Sequence, residues 1–105
     1  MTIFSVPPVE QEPRIQIDNW VVLRIKYSKQ DPRSEDRILG TAHSTWRLSS
    51  NITHHDPERK EILTKSGRMY SLGTPKDLSS TCRALMERIK DSVHKVEDVT
   101  HEYLL

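Results

Sequence analysis

Apolar residues recur at steps of three and four along the last third of the chain, the periodicity of one face of a helix. They are Leu78, Cys82, Leu85, Met86, Ile89, Val93, Val96, Val99 and Tyr103. Thr74 and Pro75 suit the N-cap and the first helical position, and Asp77 suits a capping box. The pattern predicts one long C-terminal helix over residues 75–103.

Such a helix is longer than a small sheet can cover. At about 1.5 Å per residue it would span roughly 45 Å, whereas an ordinary strand spans about 17–20 Å. Its second half would leave an apolar strip bare, which predicts a partner-binding surface at Val93, Val96, Val99 and Tyr103. We expect the partner to be another protein or a second copy of this chain. The alternative is a bent or frayed helix that packs on the sheet only over residues 78–89.

The region before the helix alternates between apolar and polar positions, which indicates strands. Residues 15–28 form the clearest one, with apolar side chains at the odd positions Ile15, Ile17, Val21, Leu23, Ile25 and Tyr27. Residues 38–53 alternate at even positions, and a turn near His43 would divide them into two strands. Residues 54–58 are expected to be a polar turn.

A second hairpin is predicted around Ser66 and Gly67, between short strands at residues 61–64 and 68–72. Pairing across this turn would place Leu63 opposite Tyr70. Thr64 to Gly73 also carries the pattern T-x-S-G-x-x-Y-x-L-G, which resembles a motif of small uncharacterised bacterial proteins. The resemblance implies a bacterial source and a hairpin, and it implies no activity.

Strands joined in sequence and followed by one helix predict an α+β fold. We expect an antiparallel β-meander of four to five strands, as a curled sheet or a partly open barrel, with the long helix across one face. The sheet would occupy residues 15–73 of a single domain over residues 15–105. Residues 1–14 would be a flexible proline-containing tail, in which Ile3, Phe4 and Val6 suit a short edge strand. The predicted core residues are Leu23, Ile25, Trp46, Leu48, Tyr70, Leu78, Leu85 and Ile89.

Charge is distributed unevenly, although the formal net charge is only +1. Residues 14–76 contain twelve Lys or Arg and seven acids. A basic sheet face with an aromatic side chain among the cations suits single-stranded nucleic acid. Nucleic acid is therefore the alternative partner. The residues of this predicted basic face are Trp20, Arg24, Lys26, Arg47, Lys65 and Arg68.

The sequence carries no motif that would position a nucleophile, a phosphate or a cofactor. His54, His55 and Asp56 are ligand types for zinc or nickel, and so are His94 and His101, but a solvated surface explains them as well. We therefore predict no catalytic, cofactor-binding or metal-binding residues. The lone cysteine lies on the apolar stripe and excludes a disulfide within the chain.

The function predicted from these observations is that of a small non-enzymatic protein-interaction or regulatory module. Its partner contact would run through the C-terminal helix, and nucleic-acid binding through the basic sheet face is the alternative. The sequence shows no signal-peptide pattern and no apolar run of membrane-spanning length, which favours a cytoplasmic location.

Overall fold

The chain is organised around one long strand, in a computed structural model that describes residues 8–75 and 80–104. In chain order the elements are β1 (Arg14–Lys26), β2 (Glu35–Ala42), β3 (Thr45–Leu48), β4 (Ile52–Asp56), β5 (Glu61–Thr64), β6 (Met69–Leu72), α1 (Ser80–Asp91), β7 (Lys95–Asp98) and a 3₁₀ helix (Thr100–Tyr103). Among the described residues, no helix has the length and apolar character needed to cross a membrane.

β1 is the strand that joins the two halves of the sheet. The strand order is β3-β2-β1-β6-β5-β4, and β7 also pairs with β1. One edge of β1 pairs with β2 in antiparallel orientation. Along the other edge, residues 14–17 pair with β6 in parallel and residues 23–26 pair with β7 in antiparallel orientation. β4 in turn contacts β2, so the two halves of the sheet face each other.

This topology corrects the predicted fold. The α+β composition is confirmed, but the described residues form a mixed sheet of seven strands with a parallel pair instead of an antiparallel meander of four to five. Hairpin signals reveal only strands that are neighbours in the sequence. The parallel pairing of β1 with β6 joins segments far apart in the chain, so no local pattern marks it.

A bulge at Asn19 divides β1 between two hydrophobic cores. Asn19 adopts a positive φ of 51°, and the pairing with β2 shifts register between Asp18 and Val21. The extra residue reverses which face the later side chains occupy. Trp20 and Val22 therefore join the core of the preceding odd-numbered residues, and the single face predicted for all odd positions is wrong.

We call the core between the two halves of the sheet the inner core. Its buried residues are Ile15, Ile17, Trp20, Val22, Ile38, Ala42, Ile62, Tyr70, Leu72 and Val99, with Ile52 and Tyr103 packed against them. The outer core lies between the sheet and α1. Its buried residues are Val21, Leu23, Ile25, Leu39, Cys82 and Leu85, with Trp46, Leu48, Met86, Ile89, Val93 and Val96 packed against them.

The helix is much shorter than predicted. α1 uses Cys82, Leu85, Met86 and Ile89 against the outer core, so the predicted apolar face is confirmed over these turns. It ends at Asp91, where the backbone N–H of Ser92 donates to the carbonyl of Ile89 at 3.0 Å. The predicted long C-terminal helix over residues 75–103 is therefore wrong.

The chain beyond α1 is extended because its sequence suits a strand better. β7 alternates exposed Lys95 and Glu97 with the half-buried Val96 and Asp98. Valines recurring after Ile89 restrict side-chain rotation in a helix and favour strands. Pro75 is not helical either, since it forms an isolated bridge with Trp20. The predicted capping residue Asp77 and core residue Leu78 lie outside the described residues.

The strand boundaries differ from the predicted ones in two places. The turn predicted near His43 is confirmed, with His43 and Ser44 both at positive φ. Residues 52–56 form β4, so the polar turn predicted at residues 54–58 is wrong over its first half.

The register of the β5–β6 hairpin is also corrected. Leu63 pairs with Met69 and not with the predicted Tyr70. The loop contains three residues, closed by a hydrogen bond from the Thr64 N–H to the Arg68 carbonyl at 3.1 Å. Gly67 supplies the left-handed conformation with φ of 94°, which is typical of a three-residue hairpin loop and shifts the pairing by one residue.

Candidate functional site

A short turn precedes β1 and carries Glu12 onto the sheet. The backbone N–H groups of Gln11 and Glu12 donate to the carbonyl of Pro8 at 3.0 and 3.1 Å. The carbonyl of Pro13 accepts a hydrogen bond from the Met69 N–H at 2.9 Å. We call residues 8–13 the arm. The arm belongs to the segment predicted as a tail, and the edge strand predicted at Ile3, Phe4 and Val6 lies outside the described residues.

Arg47 points into the protein. The turn at residues 43–44 places Trp46 and Leu48 on the outer core, so Arg47 between them faces the inner side, where it pairs with Gly40. Arg47 is only 3% exposed. Its Nη1 lies 2.6 Å from Oε1 of Glu12. Its Nε is also buried and has no hydrogen-bond partner within the described parts of the chain.

Arg68 approaches the same glutamate from the start of β6. It is 4% exposed, and its Nε donates to the main-chain carbonyl of Glu12 at 2.9 Å. The same nitrogen lies 3.8 Å from Oε1 of Glu12. The exposed His43 completes the surroundings, with Nε2 3.8 Å from Oε2 of Glu12. We call Glu12, Arg47 and Arg68 the arginine centre.

The arginine centre has the chemistry of a carboxylate receptor. A guanidinium presents a planar fork of donors that matches a carboxylate. Burial removes competing water and makes a lost partner costly. The carboxylate that occupies the centre belongs to a peptide segment of the chain itself.

A second ionic cluster lies near the other end of β1. Nε and Nη2 of Arg24 donate to the two carboxylate oxygens of Asp36 at 2.8 and 2.9 Å. Nη2 and Nη1 also donate to Glu102 at 3.0 and 3.2 Å. The hydroxyl of Tyr103 donates to Asp36 at 2.6 Å. We call Arg24, Asp36, Glu102 and Tyr103 the Arg24 cluster.

These contacts shift the pKa values of two groups in the Arg24 cluster. Hydrogen bonds to Asp36 and then to Glu102 raise the pKa of Arg24 above its ordinary value. Burial, followed by the hydrogen bond to Asp36, raises the pKa of Tyr103 well above 10. The rings of His55 and Tyr103 are in contact in a tilted arrangement, with centroids 4.9 Å apart. The Arg24 cluster therefore ties the C-terminal 3₁₀ helix to β1 and β2.

The structure distributes the residues of the predicted basic face over different environments. Trp20 is 2% exposed and its Nε1 donates to the Gly73 carbonyl at 3.1 Å. Arg47 and Arg68 belong to the arginine centre, and Arg24 is held by two carboxylates. Lys26 is half-buried at the end of β1, and Lys65 is exposed in the β5–β6 loop.

The residues of the predicted partner surface are also separated. Val93 and Val96 pack against the outer core, whereas Val99 is fully buried in the inner core and Tyr103 packs beside it. The bare apolar strip that motivated this prediction is not formed, because the long helix is wrong. Val96 lies in β7 and Tyr103 in the 3₁₀ helix.

The predicted metal-ligand types do not converge. In residues 8–75 and 80–104, no three His, Cys, Asp or Glu side chains lie together so as to hold a metal ion. His54 and His55 are consecutive in β4, so their side chains lie on opposite faces of the strand. Cys82 is a buried core residue of α1.

Glu12 is the functional candidate that sequence reasoning missed. It lies in a proline-bearing segment without periodicity, which predicted a flexible tail. Two positions in the sequence could have indicated the site. Arg47 lies between two apolar positions, and Arg68 precedes a strand that is partly buried. A buried cation requires an acidic partner, so a search for a nearby acid would have been justified. Comparison of the chain with models of protein families, with curated proteins and with solved structures finds no match.

Proposed function

We propose that this chain is a small non-catalytic protein-interaction module whose arginine centre binds an acidic segment of another protein. The observation that carries the proposal is Arg47, which is buried, holds a peptide carboxylate at 2.6 Å and keeps an Nε with no partner among the described residues. A buried guanidinium is stabilised by each further acceptor it gains. The site is therefore built to hold an anionic group from a peptide.

A peptide carboxylate is favoured over a phosphate because the arginine centre already holds one. Glu12 supplies a side-chain carboxylate to Arg47 and a main-chain carbonyl to Arg68. Both acceptors belong to one amino-acid residue, so their spacing is that of a peptide. Trp20, Arg47 and Arg68 are all buried, so the basic face predicted from the sequence loses three of its six members. The alternative of nucleic-acid binding therefore becomes an outcome of the test.

The test measures fluorescence anisotropy of a labelled peptide of alternating Glu and Gly residues, with the full chain as receptor. We expect saturable binding that a peptide with Gln in place of Glu does not show. Arg47→Lys keeps the charge but loses the fork, and it should weaken binding about tenfold. Lys90→Arg, a change between the same two residue types at an exposed position of α1, is the matched control.

A labelled single-stranded oligonucleotide in the same buffer distinguishes the two classes of partner. Binding of the oligonucleotide with a steep salt dependence, and none of the acidic peptide, would favour nucleic acid and contradict the proposal. A bacterial source and a cytoplasmic location stay predictions from the sequence.

Sedimentation equilibrium at rising concentration tests whether a second copy is a partner. The proposal of a separate protein partner expects a monomer at all concentrations. A dimer that dissociates on Arg47→Lys would instead show that the acidic segment comes from a second copy of this chain.

A further inference from the structure

Glu12 and Pro13 are recognised together by three hydrogen-bond donors. Nη1 of Arg47 lies 2.6 Å from the carboxylate of Glu12, and Nε of Arg68 lies 2.9 Å from its main-chain carbonyl. The N–H of Met69 then donates to the carbonyl of Pro13 at 2.9 Å. Two of the three contacts are to main-chain carbonyls, so they select the path of the backbone as well as the charge.

A Glu-Pro unit fits these donors for a physical reason. The residue before a proline is biased towards extended backbone, so its carbonyl is not used in a helical hydrogen bond and can accept one from Arg68. Proline has no N–H, so this position adds no backbone donor that would need an acceptor. The following carbonyl is then free to accept from Met69.

We infer that the partner segment contains a Glu-Pro unit seated as Glu12 and Pro13 are, and that the chain's own arm competes with it for the arginine centre. This inference rests on the proposed function. The arm is an intramolecular ligand, and a partner binds only in the fraction of molecules whose arm has left the site.

Departure of the arm would break few backbone hydrogen bonds of the sheet. The described backbone hydrogen bonds of Gln11 and Glu12 lie within the arm itself. The bond from Met69 to Pro13 lies just before the first pair of the parallel ladder, Arg14 with Met69. The end of a ladder opens at lower free energy than its centre. A partner competes with a tethered segment, so its apparent affinity is its intrinsic affinity multiplied by the fraction of molecules whose arm is open.

The probe is a labelled, end-blocked peptide with the sequence of residues 7–13, Pro-Pro-Val-Glu-Gln-Glu-Pro. It is titrated against the full natural chain and against full-length Glu12→Gln and Glu10→Gln. The exposed Glu10 provides a variant with the same change of charge two residues away. A second peptide carries Gln at the position of Glu12, and a third carries Gln at the position of Glu10.

We expect Glu12→Gln to bind the first and third peptides about tenfold more tightly than the natural chain and Glu10→Gln do. The second peptide should bind none of the chains. Equal affinity of all three chains for the first peptide would overturn the competition while leaving the proposed function intact. Absence of binding of the first peptide to every chain while the Glu-Gly peptide binds would overturn the Glu-Pro seating alone. Absence of binding of both peptides to every chain, Glu12→Gln included, would overturn the proposed function itself.

Glu12→Asp guards against a variant that fails to fold. It keeps the charge but shortens the reach to Arg47, so it should bind the first peptide with an affinity between those of the natural chain and Glu12→Gln. Addition of the first peptide should also shift the Met69 amide resonance of Glu12→Gln, since in this variant the arm has left and that N–H gains the proline carbonyl of the peptide as its acceptor. An unchanged Met69 resonance at saturation would contradict the Glu-Pro seating.

Discussion

The two ionic clusters lie near opposite ends of β1 and differ in how completely their arginines are satisfied. In the Arg24 cluster, Nε, Nη1 and Nη2 of a single arginine all donate to two carboxylates. In the arginine centre, Arg47 and Arg68 converge on Glu12, and Nε of Arg47 has no partner within the described chain. The satisfied arginine is the more exposed one, since the Arg24 side chain is 35% exposed.

This difference favours a structural role for the Arg24 cluster and is the basis of the binding role that we propose for the arginine centre. A half-exposed arginine with two bidentate carboxylates needs nothing further, and it fastens the C-terminal 3₁₀ helix to the sheet. A buried arginine with an unused donor is in a costly position that a better-matched ligand would relieve. The carboxylate at the arginine centre belongs to the arm, which lies outside the helices and strands. The two carboxylates of the Arg24 cluster belong to β2 and to the 3₁₀ helix.

The largest expected effect is that of Arg47→Ala. Removal of one partner of a buried pair leaves the other charge uncompensated, so we expect a loss of about 3–5 kcal/mol in the free energy of unfolding. Urea denaturation followed by tryptophan fluorescence measures it. Lys90→Ala at an exposed helix position should stay within about 0.5 kcal/mol. A loss below about 1 kcal/mol for Arg47→Ala would show that solvent reaches the arginine centre, and the comparison would fail.

Arg24→Ala should have a smaller effect, although it removes more hydrogen bonds. Glu102 is 44% exposed and can turn to water when the guanidinium is lost, and Asp36 keeps the hydrogen bond from the Tyr103 hydroxyl. We therefore expect a loss of about 1–2 kcal/mol. The same denaturation experiment measures it. Amide exchange should in addition become faster at Thr100 to Tyr103, because this segment loses its link to β1. A loss that exceeds the one for Arg47→Ala would reverse the ranking of the two clusters.

Tyr103→Phe tests the Arg24 cluster through the pH dependence of the free energy of unfolding. The variant loses the hydrogen bond to Asp36, which should cost about 1 kcal/mol near neutral pH. Burial raises the pKa of Tyr103 above 10 in the folded chain, so the unfolded chain loses this proton first as the pH rises. The Tyr103 hydroxyl therefore makes its full contribution to the free energy of unfolding below pH 10, and this contribution declines above pH 10.

The measurement is the difference in unfolding free energy between the natural chain and Tyr103→Phe, determined from about pH 8 to about pH 11. The difference should be constant at the lower values and shrink towards the higher ones, since only the natural chain has this group to titrate. A difference that grows with pH would contradict the assigned direction of the pKa shift.

Sequence patterns predicted the parts of the fold that depend on local periodicity. The face of α1 from Cys82 to Ile89 and the turn at His43 follow from spacing and turn chemistry alone. The end of the helix was missed because Val93, Val96 and Val99 continue a helical spacing, although valines also favour a strand. The pairing partner that decides between the two, β1, lies far away in the sequence.

The candidate site was harder to predict because its residues lie in segments of different kinds. Arg47 and Arg68 lie in or next to predicted strands, whereas Glu12 lies in a segment without periodicity. Arg47 and Arg68 were assigned to an exposed basic face, since an arginine between strand residues ordinarily faces water. The reversal of faces across the turn at residues 43–44 turns Arg47 inward. Only the fold brings Glu12 from the arm to the same place, so the arginine centre is a property of the tertiary structure.

The smallest expected effect is that of His43→Gln, which tests whether the energy of the arginine centre lies in its buried pair. His43 approaches Oε2 of Glu12 at 3.8 Å, but its side chain is 76% exposed. An exposed ion pair contributes little, because water screens it and holding the side chain in place costs entropy. We expect a change of no more than about 0.5 kcal/mol in urea denaturation and no change in peptide affinity. A loss comparable to that of Arg47→Ala would show that Glu12 is held mainly by the exposed His43. The contrast between a buried arginine centre and an exposed Arg24 cluster would then no longer hold.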